Sequence, residues 1–212
     1  MSEEISKEEL FNQFKENKVL KFSTIIVGVI LGAVLIFMGY KQYFYGPKNE
    51  ESKANVAKGI LWMEKDSINL AIEEFEYIIE EYGSYEGAQI ARYSLGNIYF
   101  EQGRYDDALL VLEDLKLEDT YLMTLAIGTM GDCYSELGDL ESAVNMYIKA
   151  AKRIDNDITS PQFLFKAGLH AEEAGDYEKA KDYYQQIQDL YLSFANQKSI
   201  EKYIVRVDAK IK

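Results

Sequence analysis

A single cysteine, Cys133, cannot close an internal disulfide. A cystine-stapled scaffold is therefore excluded, although a lone thiol fixes no compartment. Proline occurs only at Pro47 and Pro161. So few helix breakers, in a chain rich in Ala, Leu, Glu, Lys and Tyr, point to an all-α protein. Histidine is scarcer still. His170 stands alone, and no His/Cys cluster supports a transition-metal site. No phosphate-cradling glycine loop occurs; the glycines recur at a long interval instead. The expectation is a non-enzyme without catalytic residues, metal, cofactor or small-molecule substrate.

Positive charge is the other deficit. Lys and Arg number 23 against 36 Asp and Glu, a net charge of −13. Residues 1–45 are neutral, with Glu3, Glu4, Glu8, Glu9 and Glu16 balanced by Lys7, Lys15, Lys18, Lys21 and Lys41. The imbalance therefore sits on residues 46–212. Such a surface repels phosphate backbones, which argues against nucleic acid, and it resists flat adsorption to anionic lipid. Solubility is its plainest use.

One stretch carries no charge at all. Phe22 to Tyr40 reads FSTIIVGVILGAVLIFMGY, nineteen residues. As a helix it reaches about 28 Å, close to the thickness of a bilayer's hydrocarbon core. A cleaved signal peptide has an apolar run of only about 7–15 residues ending in small side chains. Here the run ends Phe37-Met38-Gly39-Tyr40-Lys41, and no cysteine lies nearby for a lipid anchor. Residues 22–44 are expected to form an uncleaved transmembrane anchor, with Tyr40, Tyr43, Phe44 and Tyr45 as an interfacial aromatic belt. Lys15, Lys18 and Lys21 crowd one edge, and Lys41 and Lys48 flank the other. That bias is slight, and it favours a cytoplasmic N-terminus with the rest outside. Thr24, Gly28 and Gly32 make a small-residue stripe on which a second helix could pack closely. The plainer reading is that glycine is common in membrane helices. Before the span, residues 1–21 form a short tail. Residues 5–20 look helical, with Ile5, Phe11 and Phe14 apolar among charges.

Beyond a linker at 45–51 the sequence repeats itself. LGNIYFEQGRYDDALLVL (95–112), MGDCYSELGDLESAVNMY (130–147) and AGLHAEEAGDYEKAKDYY (167–184) align. Gly96, Gly131 and Gly168 lie 35 and 37 apart, as do Gly103, Gly138 and Gly175, and Ala108, Ala143 and Ala180. A fainter copy has Gly59, Trp62, Ala71 and Phe75 each 37 before Gly96, Tyr99, Ala108 and Leu112.

These residues resemble the tetratricopeptide repeat family, whose pattern wants a small residue at position 8, a large one at 11, Ala at 20 and an aromatic at 24. Small residues at 8 and 20 let two helices meet backbone to backbone. Gly103, Gly138 and Gly175 end first helices, where a left-handed cap is needed. Asp106, Asp139 and Asp176 lie near the starts of second helices, favourable for the dipole. The resemblance implies an α-solenoid of about four helix pairs, at 52–88, 89–123, 124–160 and 161–195. Residues 196–212 would be a capping helix with Ile200, Tyr203, Ile204 and Val207 on one face. Asp66 replaces glycine in the first repeat, Ala171 takes position 11 in the fourth, and the proline at position 32 is absent throughout. His170 and Cys133 share position 10, a slot that packs between repeats.

In that family the first helices line a concave groove. The matching positions give a partner-binding face of Ile60, Met63, Ile90, Tyr93, Asn97, Phe100, Leu125, Asp132, Phe165 and Leu169. An apolar groove rimmed by carboxylates suits a helix or an extended segment of a partner. The alternative is that the chain's own C-terminal helix covers part of it.

The wider layout is FNQFKENK, a glycine-containing span, GYKQYFYGPKNEE and acidic repeats. It resembles the YfgM-like ancillary subunit of the bacterial Sec translocon, and TSPQFLFKAG is similar to its Bacteroidota-type branch. That resemblance implies a single-pass inner-membrane adaptor with periplasmic repeats. Its partners would be the SecYEG channel, a PpiD-like membrane-anchored chaperone and emerging secretory chains. Other readings are a scaffold of another envelope complex, such as cell division or outer-membrane assembly, or a regulator facing the cytoplasm.

Overall fold

The computed structural model describes residue 15, residues 17–117 and residues 120–211, with backbone alone at Thr120. The expected helical residues Ile5, Phe11 and Phe14 lie outside the described residues. The chain divides into two units, residues 1–50 and 51–212.

In the first unit, helix α1 (Lys18–Tyr40) starts at Asn17, whose side-chain oxygen accepts the amides of Val19 and Leu20 at 3.0 and 3.2 Å. The hydroxyls of Ser23 and Thr24 both donate to the Leu20 carbonyl, so neither needs an outside partner. No residue of α1 is buried, and its most apolar window has a mean hydropathy of 2.5. By length and composition it can cross a membrane.

Lys41–Tyr45 then winds as a π-helical turn, with the Gly46 amide bonded to the Lys41 carbonyl. Helix α2 (Gly46–Glu64) follows, so the linker expected over 45–51 is helical instead. Pro47 has no N–H to give the Tyr43 carbonyl, and the widened turn just before it absorbs the missing bond.

The second unit is all-α among its described residues. From Glu51 onward α2 pairs with α3 (Ile68–Tyr82). Then α4 (Glu86–Glu101) pairs with α5 (Tyr105–Glu113), α6 (Thr120–Glu136) with α7 (Leu140–Arg153), and α8 (Thr159–Glu173) with α9 (Tyr177–Leu190). Within each pair a glycine meets the residue at position 24. A Cβ added to Gly59, Gly96, Gly131 or Gly168 would lie 2.3, 2.5, 2.7 or 2.4 Å from Phe75, Leu112, Tyr147 or Tyr184. Ala71, Ala108, Ala143 and Ala180 have no exposed surface. These small residues set how closely the backbones approach, and burying the large ones opposite supplies the hydrophobic drive.

All four pairs turn alike. The amides of Ser67, Arg104, Asp139 and Asp176 bond back to the carbonyls of Trp62, Tyr99, Tyr134 and Ala171, at 2.8–2.9 Å. This closure needs a left-handed residue, taken by Gly103, Gly138 and Gly175 (φ +73, +81 and +81). In the first pair Asp66 takes the same conformation, φ +56, which aspartate tolerates better than most residues.

The C-terminal segment is two helices, α10 (Leu192–Lys198) and α11 (Ile200–Ile211), broken at Ser199 with φ +53. Ile200 and Val207 are fully buried, and Tyr203 and Ile204 half-buried, so this face closes the end of the array.

Candidate functional site: the groove of the first helices

Position along the helix decides what each groove residue can offer. Ile60 is 40 % exposed. Met63, Ile90, Tyr93, Asn97, Phe100, Leu125, Asp132, Phe165 and Leu169 are half-buried. Apart from Leu169, they divide into two kinds, those committed inside the array and those left available.

Asn97 donates to the Tyr93 carbonyl at 2.9 Å and accepts from the Thr129 hydroxyl of the next repeat at 3.2 Å. Asp132 accepts the Tyr147 hydroxyl at 2.7 Å and the Lys166 ammonium at 2.7 and 2.9 Å. Phe165 lies under aromatic rings, with Tyr203 at 5.0 Å and Tyr184 and Phe194 at 6.1 Å. These three contribute to the array's cohesion. The self-covering alternative thus holds at the fourth repeat, where α10 and α11 shield Phe165. Ile60, Met63, Ile90, Tyr93, Phe100 and Leu125 run along successive first helices without such cover from the C-terminal helices. Phe100 is half-buried against the core and meets the Tyr105 ring at a tilt, with the centroids 5.7 Å apart. Each first helix ends near an exposed glutamate, Glu64, Glu101, Glu136 or Glu173.

Sequence reasoning missed the links between repeats, and their spacing was the available signal. Asp132–Lys166 spans 34 residues, Ser135–His170 35, Glu172–Arg206 34 and Asp155–Tyr191 36. Each joins a residue to one about a repeat further on. His170 engages both ring nitrogens, one within its own helix and one across to the preceding repeat. Its Nδ1 donates to the Lys166 carbonyl at 2.8 Å, and in the neutral ring Nε2 then accepts from the Ser135 hydroxyl at 2.6 Å. No free base remains at that histidine. Cys133 is fully buried; burial and the neighbouring Asp132 push its thiol up to about 11. A thiol held protonated there is a poor nucleophile. Burial, then the bond to Asp132, also drives the Tyr147 phenol far above its usual value.

Residues 53–167 match the tetratricopeptide repeat-like domain, and residues 162–191 match the tetratricopeptide repeat. The chain belongs to the tetratricopeptide repeat family. Its array is thus a scaffold of the kind that binds other proteins. A curated relative is the chloroplastic Protein FLUORESCENT IN BLUE LIGHT of Arabidopsis thaliana, 31 % identical over 121 residues. That match covers 52 % of this chain and 38 % of the relative, so this tetratricopeptide protein spans well under half of the relative's length. Among solved structures, that of pilF from Pseudomonas aeruginosa superposes with a TM-score of 0.54 at 15 % identity, over 87 % of this chain and 88 % of that one. At such identity the likeness concerns the fold alone.

Proposed function

We propose that this protein is a non-enzymatic, membrane-anchored adaptor whose first three repeats hold an apolar segment of a partner protein. The observation that carries this reading is the run of Met63, Ile90, Tyr93, Phe100 and Leu125, half-buried on successive first helices and rimmed by exposed glutamates. Large apolar side chains edged by carboxylates complement a helix with one apolar face and basic flanks. The matching segment would come from a PpiD-like chaperone or an emerging secretory chain, with the SecYEG channel beside the anchor.

In this reading α1 spans the bacterial inner membrane, the N-terminus is cytoplasmic and the repeats are periplasmic. The open face around Gly28 and Gly32, where an added Cβ would meet nothing within 4 Å, is where a partner's membrane helix packs, alongside Thr24.

Replacing Tyr93 and Phe100 together by aspartate is expected to abolish co-purification of these partners while helicity is unchanged. Retained capture would count against the groove. A topology reporter fused after Lys212 is expected to be active only on the periplasmic side; cytoplasmic activity favours the inward-facing regulator. Crosslinks from Phe100 or from the Gly28–Gly32 face are expected to recover Sec subunits, and their absence would leave a scaffold of another envelope complex.

A further inference from the structure

The Glu172–Arg206 link spans 34 residues, like Asp132–Lys166 between the third and fourth repeats. Helix α11 therefore stands where the first helix of a following repeat would stand, with no second helix behind it among the described residues. It has fewer anchors than a true repeat helix. Ile200 and Val207 are its buried side chains, whereas the first helix α8 buries Phe163, Leu164, Ala167 and Ala171 among others. Half-buried Tyr203 and Ile204 of α11 pack against the core as well, and two partly exposed ion pairs complete its hold: Arg206 on Glu172 at 2.6 Å and Lys181 on Asp208 at 2.7 Å. The chain enters α11 through left-handed Ser199, a point where few residues must reorient to free the helix. Beneath it lie Phe165, a groove position of the fourth repeat edge-on to Tyr203 at 88°, and Glu172 of the same helix.

We infer that α11 is a displaceable plug, seated on a site that accepts a partner helix bearing an aromatic residue and, three positions on, an arginine. Tyr203 and Arg206 show the chemistry required. The ring meets Phe165 edge to face, and the guanidinium meets Glu172, which the Tyr184 hydroxyl also holds at 3.2 Å. A cationic helix is drawn to this site by the chain's net charge of −13. The inference extends the groove reading above to the fourth repeat. A helix with both side chains competes with α11; one lacking the arginine does not.

The probe is a synthetic peptide of residues 192–212, added to the full chain in detergent micelles. A chain carrying Tyr203→Ala and Arg206→Ala, its own plug weakened, is expected to bind the peptide at least about tenfold more tightly than the unaltered chain. Adding Glu172→Gln is expected to cancel the gain. Equal affinity of the two chains, or a gain that survives Glu172→Gln, overturns the inference. Should the doubly altered chain lose helicity, hydrogen exchange of the unaltered chain decides. Amides of α11 are expected to exchange at least about tenfold faster than those of α7 and α8, and equal rates overturn the plug. No Sec component enters these assays, so their failure is separable from failure of partner capture at Tyr93 and Phe100.

Discussion

A Cβ placed on Gly168 would stand 2.4 Å from Cε1 of Tyr184. The Tyr184 ring is fully buried and cannot swing away. Alanine in place of glycine inside a helix ordinarily stabilises by about 1 kcal/mol. Here overpacking of roughly 1–3 kcal/mol opposes that gain. Gly168→Ala is therefore expected to lower the urea midpoint of the array, and a raised midpoint would overturn the close-contact account.

The turn positions are expected to respond differently, because space is not what limits them. Nothing lies within 4 Å of a Cβ added at Gly175, yet its φ is +81. Gly175→Ala is expected to cost about 1–2 kcal/mol through backbone strain alone. Asp66→Gly, at φ +56, is expected to stabilise by up to about 1 kcal/mol. Matched denaturation curves of the two variants check both signs.

Acid is expected to loosen two of the four turns first. Asp139 caps α7 by accepting the Ser142 amide at 3.0 Å, and that bond holds its carboxyl below the usual 3.8. Asp176 is lowered chiefly by the Lys179 side chain, and further by the Lys179 amide. Their stabilisation is full above 3.8 and is lost as pH falls through their lower folded values. Asp139→Asn and Asp176→Asn together are expected to flatten the stability profile below that pH, as read by thermal melting.

At the alkaline end the sign reverses. Burial, then the bond to Glu76, pushes the Tyr99 phenol up to about 12 from the usual 10.0. Its contribution is full below 10.0 and disappears as pH rises through about 12. Tyr147 and Tyr184 are raised further, by burial first and then by Asp132 and Glu172. Tyrosinate absorbance is expected to rise in two stages, exposed tyrosines first and these three together with loss of helical circular dichroism. A single stage before any unfolding would contradict the burial described.

Cys133 provides an internal reporter. With its thiol buried and pushed up to about 11, alkylation at mildly alkaline pH is expected to be slow in the folded chain. The labelling rate in urea is expected to rise with the unfolded fraction measured by circular dichroism.

The repeat was legible because its packing rule acts on single positions. A residue small enough to let a ring lie against a helix recurs as glycine, and Gly59, Gly96, Gly131 and Gly168 stand out without any structure. Relations between positions were harder to read. Asp132 and Asn97 read as groove residues because nothing local reveals that Lys166 and Thr129 lie one repeat away and engage them. Asp106 stands in the first turn of α5, as expected for the dipole, but it is not the cap that Asp139 and Asp176 are. It lies three residues after its glycine, where they lie one after theirs, so the cap position of α5 falls to Arg104. Arg104 makes no cap bond, but lies 3.9 Å above the Tyr99 ring and pairs with Asp107. The linker expected over 45–51 is helical for another reason: proline stops a regular α-helix, yet a π-turn carries the helix past Pro47.

The links that reach one period along the chain also govern how such a protein can change length. Inserting a single residue in α7 would shift every donor beyond it away from its acceptor. Duplicating or deleting a whole unit leaves each surviving residue facing its usual neighbour, with new bonds needed at one seam. The length of the binding surface is thus open to inheritance in whole-repeat steps, while its internal register resists gradual drift.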